Sequence, residues 1–171
     1  MMLKPEKFEN FVGNDVFVVV DQHRDGNGDS FHSVFTDEFE AKEQAERDWG
    51  YLVASEKKER EIVVYKTTIV EDADDFVICW DFVEEVFSAE KSEIITKIIG
   101  ELGGNDKIVY DGESKTGDDV VSCVLEDAFQ TILPTHLVSK KPHVSDVLDS
   151  EDVCQIIEKT NLKERAVFSN E

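Results

Sequence analysis

Apolar and polar positions follow two different periods along this chain, and the changes of period mark its elements. Val16-Phe17-Val18-Val19-Val20 is a β-branched run, and Ser30-Phe31-His32-Ser33-Val34-Phe35-Thr36 alternates polar with apolar, so both read as strands. Between them, Asp25-Gly26-Asn27-Gly28-Asp29 has hairpin chemistry, because Gly and Asn accept the positive φ that tight turns require. Asp37 followed by Glu40 resembles a capping box, and Ala41, Ala45, Trp49, Leu52 and Val53 then recur at helical spacing. One helix is expected over about Glu38–Glu59, with Gly50 weakening it by roughly 1 kcal/mol. Glu61–Val70 reads as a third strand.

Beyond residue 70 the pattern changes. Glu71–Asp75 reads as a loop or boundary. The apolar stretch Phe76-Val77-Ile78-Cys79-Trp80, with Phe82-Val83 and Val86-Phe87, fits a strand or a short helix equally well. Lys91–Leu102 carries Ile94, Ile95, Ile98, Ile99 and Leu102 on one helical face, and Gly103-Gly104-Asn105 closes it. A short strand over Lys107–Tyr110 and a turn over Asp111–Gly117 follow. A helix is then expected from Asp118 or Asp119 to Leu133, stopped by Pro134, and a last one near Ser150–Asn161 with Ser150 as N-cap. The fold class is α+β: a ββαβ unit over 1–70, then a mainly helical region over 71–171 with a short strand, the two compatible with one continuous domain.

Composition narrows the class. A chain of 171 residues, 40% hydrophobic and with 11 Phe, has enough apolar surface for an ordered core. Cys79, Cys123 and Cys154 are odd in number and form no CxxC pair, which fits a reducing cytoplasm and small apolar residues of the interior. The absence of a secretory h-region and of any run of about 18 apolar residues points to the cytoplasm and away from a membrane.

Asp and Glu total 39 against 18 Lys and Arg, a formal charge of −21. Long-range repulsion disfavours nucleic acid or an anionic membrane as a direct ligand and favours a basic partner. The charge is uneven. No Lys or Arg occurs from Glu71 to Glu90, a window holding Asp72, Asp74, Asp75, Glu84 and Glu85. On the first helix, Glu40 and Glu43 fall opposite the apolar stripe, and Glu46 and Asp48 on its flanks.

Motifs for catalysis are weak. Asp25–Asp29 fails as a calcium loop, because the twelfth position, which should be Glu, is Thr36 counted from Asp25 and His32 counted from Asp21. Glu113-Ser114-Lys115, near Asp106 and Asp111, has the E-x-K element of a metal-dependent nuclease, yet Gly112 and Gly117 around it favour an exposed turn. His23, His32, His136 and His143 are scattered, and no G-x-S-x-G, H-E-x-x-H, G-x-G-x-x-G or P-loop string occurs. No enzyme and no cofactor is implied.

The acidity itself remains. A compact chain of this length has a radius of gyration of about 15–16 Å, hence a diameter on the order of 40 Å. Duplex DNA carries about 24 phosphate charges over that length, of the same order as the net charge here. Val18-Val19-Val20-Asp21-Gln22, Asp25–Phe31, Phe35-Thr36-Asp37, Glu43–Leu52 and Glu56-Lys57-Lys58-Glu59-Arg60 resemble small acidic proteins of phages and mobile elements of Firmicutes, over about residues 15–65. Proteins of that setting include anti-CRISPR inhibitors, several of them acidic and seated where a CRISPR-Cas nuclease reads DNA. The resemblance implies a non-enzymatic inhibitor that mimics DNA toward a basic nucleic-acid-handling protein, a CRISPR-Cas nuclease above all. Its contacts would be Glu40, Glu43, Glu46 and Asp48 on the helix and Asp72, Asp74, Asp75, Glu84 and Glu85 in the base-free window. An ordinary acidic scaffold and, behind it, a nuclease centred on Glu113 and Lys115 are the competing expectations. The oligomeric state is not written in the sequence.

Overall fold

The computed structural model describes residues 1–26, 28–104, 107–113 and 115–169, with residues 29–32 through their backbone alone. The class is α+β: an antiparallel sheet with helices in the amino-terminal half and a more helical carboxy-terminal half. The chain forms two compact units, Met1–Glu90 and Lys91–Glu171.

In the first unit, β1 (Met2–Leu3), β2 (Asp15–His23), β3 (Asp29–Phe35), β4 (Arg60–Asp72), β5 (Asp75–Ile78) and β6 (Glu84–Ser88) form one antiparallel sheet. Its order is β1-β3-β2-β4-β5, with β6 also pairing with β4. Gly26 and Gly28 take positive φ, 79° and 98°, where the chain turns from β2 to β3. β2 is a continuous apolar run rather than an alternating one because both faces of the sheet are covered. Phe17 and Val19 pack with Ala41, Ala45 and Trp49 of α1 (Glu38–Tyr51). Val16, Val18 and Val20 pack on the opposite side with Phe8, which belongs to a 3-10 helix, Pro5–Phe11, that the pattern did not announce.

The single helix expected over Glu38–Glu59 is two. α1 begins as expected, with the Asp37 carboxylate accepting the Glu40 N–H at 3.0 Å. It stops at Tyr51, and Leu52 and Val53 are extended before α2 (Ala54–Glu59). Leu52 packs into the core beneath α1, and the Glu56 carboxylate reaches back to the Val53 N–H at 2.9 Å, supplying the partner that a new helix start needs.

Glu71–Asp75 is a hairpin rather than a loop between domains. Glu71 and Asp72 complete β4, and Asp75 opens β5 directly across from Asp72. The two turn residues, Ala73 and Asp74, both have positive φ, 49° and 69°, the conformation of the two-residue turns that suit a twisted hairpin. Ala has no means of relieving that conformation, which disfavours it by about 1 kcal/mol. The ambiguous apolar stretch resolves into β5 and β6. They pair in succession along one side of β4, β6 against Val63–Lys66 and β5 against Ile69–Asp72. Buried Thr67 holds the connection between them: its hydroxyl donates to the carbonyl of Cys79, and the Phe82 carbonyl lies 3.3 Å from it.

In the second unit, α3 (Ala89–Gly103, its first two residues belonging to the first unit), α4 (Gly117–Ile132) and α7 (Ser150–Thr160) bury Ile94, Ile98, Val124, Phe129 and Ile156 in one cluster, with Leu162 of the short α8 (Leu162–Arg165). Short α5 (Thr135–Val138) and α6 (Val144–Val147) link α4 to α7. β7 (Ile108–Asp111) pairs in parallel with β8 (Ala166–Ser169), a strand not expected from the pattern. The caps shift by one to three residues: Thr116, not Asp118 or Asp119, caps α4, and Asp149, not Ser150, caps α7. Asn161 ends α7 in the left-handed conformation, and Arg165 donates to the carbonyls of Thr160 (2.9 Å) and Leu102 (2.7 Å), satisfying two helix ends. Among the described residues, no helix is long and apolar enough to cross a membrane.

Candidate protein-binding surface

Two contacts fix which way each flank of α1 faces. On one flank Glu40 pairs with the amino-terminal ammonium of Met1, beside β1 at one edge of the sheet. On the other flank the Lys42 ammonium lies 5.9 Å from the centre of the Phe87 ring of β6 and 2.6 Å from Glu38. Helical geometry then places Glu40 and Asp48 on the β1 side, Glu43 straight away from the sheet, and Glu46, one turn after Lys42, on the β6 side. Glu40, Glu43 and Glu46 are exposed, whereas Asp48 is half-buried and accepts the Gln44 amide at 2.8 Å.

The carboxylates of the base-free window gather elsewhere. Asp72, Asp74 and Asp75 occupy the tip of the β4–β5 hairpin, and Glu84 and Glu85 open β6 along the same side of β4. All are exposed. Asp72 and Asp75 stand directly opposite one another, an arrangement of like charges that the ladder would avoid for stability alone. The nine candidate residues therefore do not share one face: five carboxylates line the open edge of the sheet, Glu46 lies on that side of α1, and Glu40 and Asp48 lie toward the other edge.

The window is base-free in sequence but not in space. Arg24 reaches Glu90 at 2.8 Å, so Glu90 is a buried internal partner rather than surface charge. Lys66 stands across from Glu84 in the ladder and contacts Asp15 at 3.4 Å. Asp21, buried in β2, is held by the Arg60 guanidinium, whose Nε donates at 2.9 Å.

Sequence reasoning did not single out the residues between the two edge strands. Trp80 and Phe82 are 51% and 83% exposed. A shallow groove of about 800 Å³ runs along β5, floored by Phe8, Phe76 and Ile78 and flanked by Glu71, Asp72 and Asp81. A second, of about 450 Å³, lies on the far side of the Cys79–Val83 connection, and Asp81 lines both. The available signal was the break of period at Trp80-Asp81-Phe82, where large apolar residues flank a charge.

In the second unit, carboxylates are engaged in building helix ends. Thr116 and Asp119 form a reciprocal cap, and the Thr116 hydroxyl, 2.7 Å from Asp119, draws that carboxyl below its ordinary value. The N–H of Asp152 does the same for Asp149. Partial burial opposes ionisation of Glu126, yet the Val144 N–H (2.9 Å), the Gln130 amide (3.0 Å) and the His143 ring (3.0 Å) bring it below its usual range. Burial likewise opposes the charge on Lys91, but Asp152 (3.1 Å) and Asp149 (3.5 Å) raise its pKa.

The remaining candidates are dispersed. Glu113 and Lys115 are exposed beyond the end of β7, and Asp106 lies outside the described residues. Among the described residues, no group of three His, Cys, Asp or Glu is placed to hold a metal ion. His136 is buried, His23 and His143 are exposed, and the side chain of His32 lies outside the described set. Cysteines expected in the interior are not fully buried: Cys79 and Cys123 are half-buried and Cys154 is exposed on α7. No protein-family model, no curated protein and no solved structure matches the chain.

Proposed function

We propose that this protein is a non-enzymatic inhibitor that binds the cationic, nucleic-acid-contacting surface of another protein, with a CRISPR-Cas nuclease as the instance implied by the likeness of residues 15–65. The observation that supports this reading is the open edge of the first unit, where Asp72, Asp74 and Asp75 are exposed at the hairpin tip and Glu84 and Glu85 are exposed farther along the same side of β4, roughly 20 Å away at strand rise. Exposed carboxylates at strand spacing present acceptors to Arg and Lys as phosphates do, through charge-assisted hydrogen bonds. The test is binding of the purified protein to a guide-loaded CRISPR-Cas nuclease across a salt series, with target DNA as competitor. Affinity is expected to fall steeply with salt and DNA to be displaced. Neutralising the five edge carboxylates to Asn and Gln should weaken binding by at least about tenfold. Salt-insensitive binding, or a complex that takes up its DNA normally, overturns the reading.

One observation favours a second reading. Asp75, Glu84 and Glu85 sit on short edge strands, with Asp72 and Asp74 at the adjoining hairpin turn, where charge blocks pairing with other chains and keeps a protein soluble. On that reading the neutralised variant self-associates and loses no partner.

A further inference from the structure

The register of the β4–β5 hairpin decides which backbone groups face outward. A two-residue turn makes Asp72 and Asp75 the closing pair, so alternate residues of β5 direct their backbone toward β4. The Cys79 N–H, which donates to the Thr68 carbonyl at 2.9 Å, continues that alternation. Phe76 and Ile78 therefore turn their N–H and C=O groups to the outer edge, where the Phe76 N–H donates to the Asp75 carboxylate at 2.9 Å and would have to exchange that acceptor for a partner's carbonyl, and among the described residues β5 has no strand partner other than β4. The two faces of this edge differ. Phe76 and Ile78 share their face with Phe8, whereas Asp75 and, across the hairpin, Asp72 point to the opposite face. The groove along β5 continues onto half-exposed Trp80 and ends at Asp81.

We infer that the outer edge of β5 is a docking strip for an extended segment of a protein partner whose side chains alternate between cationic and apolar. The segment adds a strand to the sheet, pairing with the backbone of Phe76 and Ile78. Because successive side chains of a strand point to opposite faces, one set meets Phe8, Phe76, Ile78 and Trp80 while the other meets Asp72 and Asp75. Charge selects this occupant. A second copy of the chain added at the same edge would bring a second acidic hairpin tip close to the first without supplying any cation, and a nucleic acid would be repelled. The inference rests on the proposed cationic partner and adds the mode of contact: main-chain pairing, in which the apolar groove contributes affinity that charge alone would not.

The experiment uses the full chain, ¹⁵N-labelled, and a short synthetic peptide alternating Lys with Leu. Its counterpart is the same peptide N-methylated at the backbone amides that would pair, which keeps charge and side chains. The unmodified peptide should shift the amide resonances of Phe76 and Ile78, alter Trp80 fluorescence, and bind at least about tenfold more tightly than the methylated one. The D72N/D75N double variant should weaken it while leaving the spectrum of the free protein otherwise intact. Equal binding of the two peptides, or shifts confined to α1, overturns strand addition and leaves the cationic-partner reading standing. Failure of both peptides to bind at low salt overturns both. Self-association of the free chain through β5 overturns the choice of occupant.

Discussion

The two units of this molecule are both acidic, and although Asp37 and Glu56 serve helix starts in the first as well, the units differ in what most of their described carboxylate contacts do. In Lys91–Glu171, Asp119, Asp149, Asp152 and Glu126 turn back onto helix N–H groups, completing ends that the backbone leaves open. In Met1–Glu90, Asp21 and Glu90 are buried against Arg60 and Arg24, while Asp72, Asp74, Asp75, Glu84 and Glu85 project from the edge of a sheet. Net charge is thus a poor description of this chain. A carboxylate that caps a helix is structural, one paired with buried arginine is structural at greater cost, and the edge group is among those left outward-facing.

That contrast can be broken at several points. The largest effect is expected from Phe129→Ala in the second unit, where a fully buried ring is removed from the cluster on α4; the loss should be about 3–5 kcal/mol by denaturant unfolding. Next comes Asp21→Ala in the first, which strands the Arg60 guanidinium. Because that group keeps some solvent contact, the expected cost is about 3 kcal/mol, with Arg60→Ala measured alongside to show that the pair acts as a unit.

Acid should act on the second unit through its caps. Asp119, Glu126 and Asp149 have folded pKa values lowered from their ordinary ones. A lowered carboxylate contributes stability that is present above its unfolded pKa, about 4, and is lost as pH falls through the folded value. Amide protection at the starts of α4 and α7, taken relative to the intrinsic exchange rate at each pH, should therefore fall below about pH 4, and the fall at α4 should shrink in Thr116→Ala. The smallest effect has the opposite sign. Ala73→Gly relieves a left-handed alanine in the β4–β5 turn and should raise stability by up to about 1 kcal/mol, a sharper hairpin melting being the readout.

How far this could be anticipated depends on where the information lies. The β2–β3 turn and the start of α1 were legible because Gly26, Gly28 and Asp37 carry their signals locally. α3 and α4 were legible because their apolar spacing extends over three or more turns. β1, of two residues, and β8, of four, are too short for a period, and β8 is defined by a partner some sixty residues earlier in the chain. β5 and β6 were ambiguous for a related reason: each is fixed by its place along β4, not by its own pattern. The break at Leu52 depends on the Glu56 carboxylate reaching a single N–H, a competition that helical spacing does not reveal. For the candidate surface, charge was legible and position was not. The residues chosen from an uneven window did converge on one edge, but the four helix carboxylates were divided by contacts with Met1 and with Phe87 on β6 that join distant parts of the chain.

The placement of the two tryptophans has an optical consequence. Trp49 is buried beneath α1, with the Lys57 ammonium 4.7 Å from its ring centre, and Trp80 stands half in solvent beside Asp81. Both belong to Met1–Glu90, so intrinsic tryptophan emission reports on the sheet and is blind to the helices that follow. Its blue component belongs to Trp49 and its red component to Trp80. Caesium, drawn in by the surrounding carboxylates, should quench the red component more efficiently than iodide, which they repel, and neutralising those carboxylates should bring the two quenchers together. A cuvette thus measures the local potential of one edge of the protein.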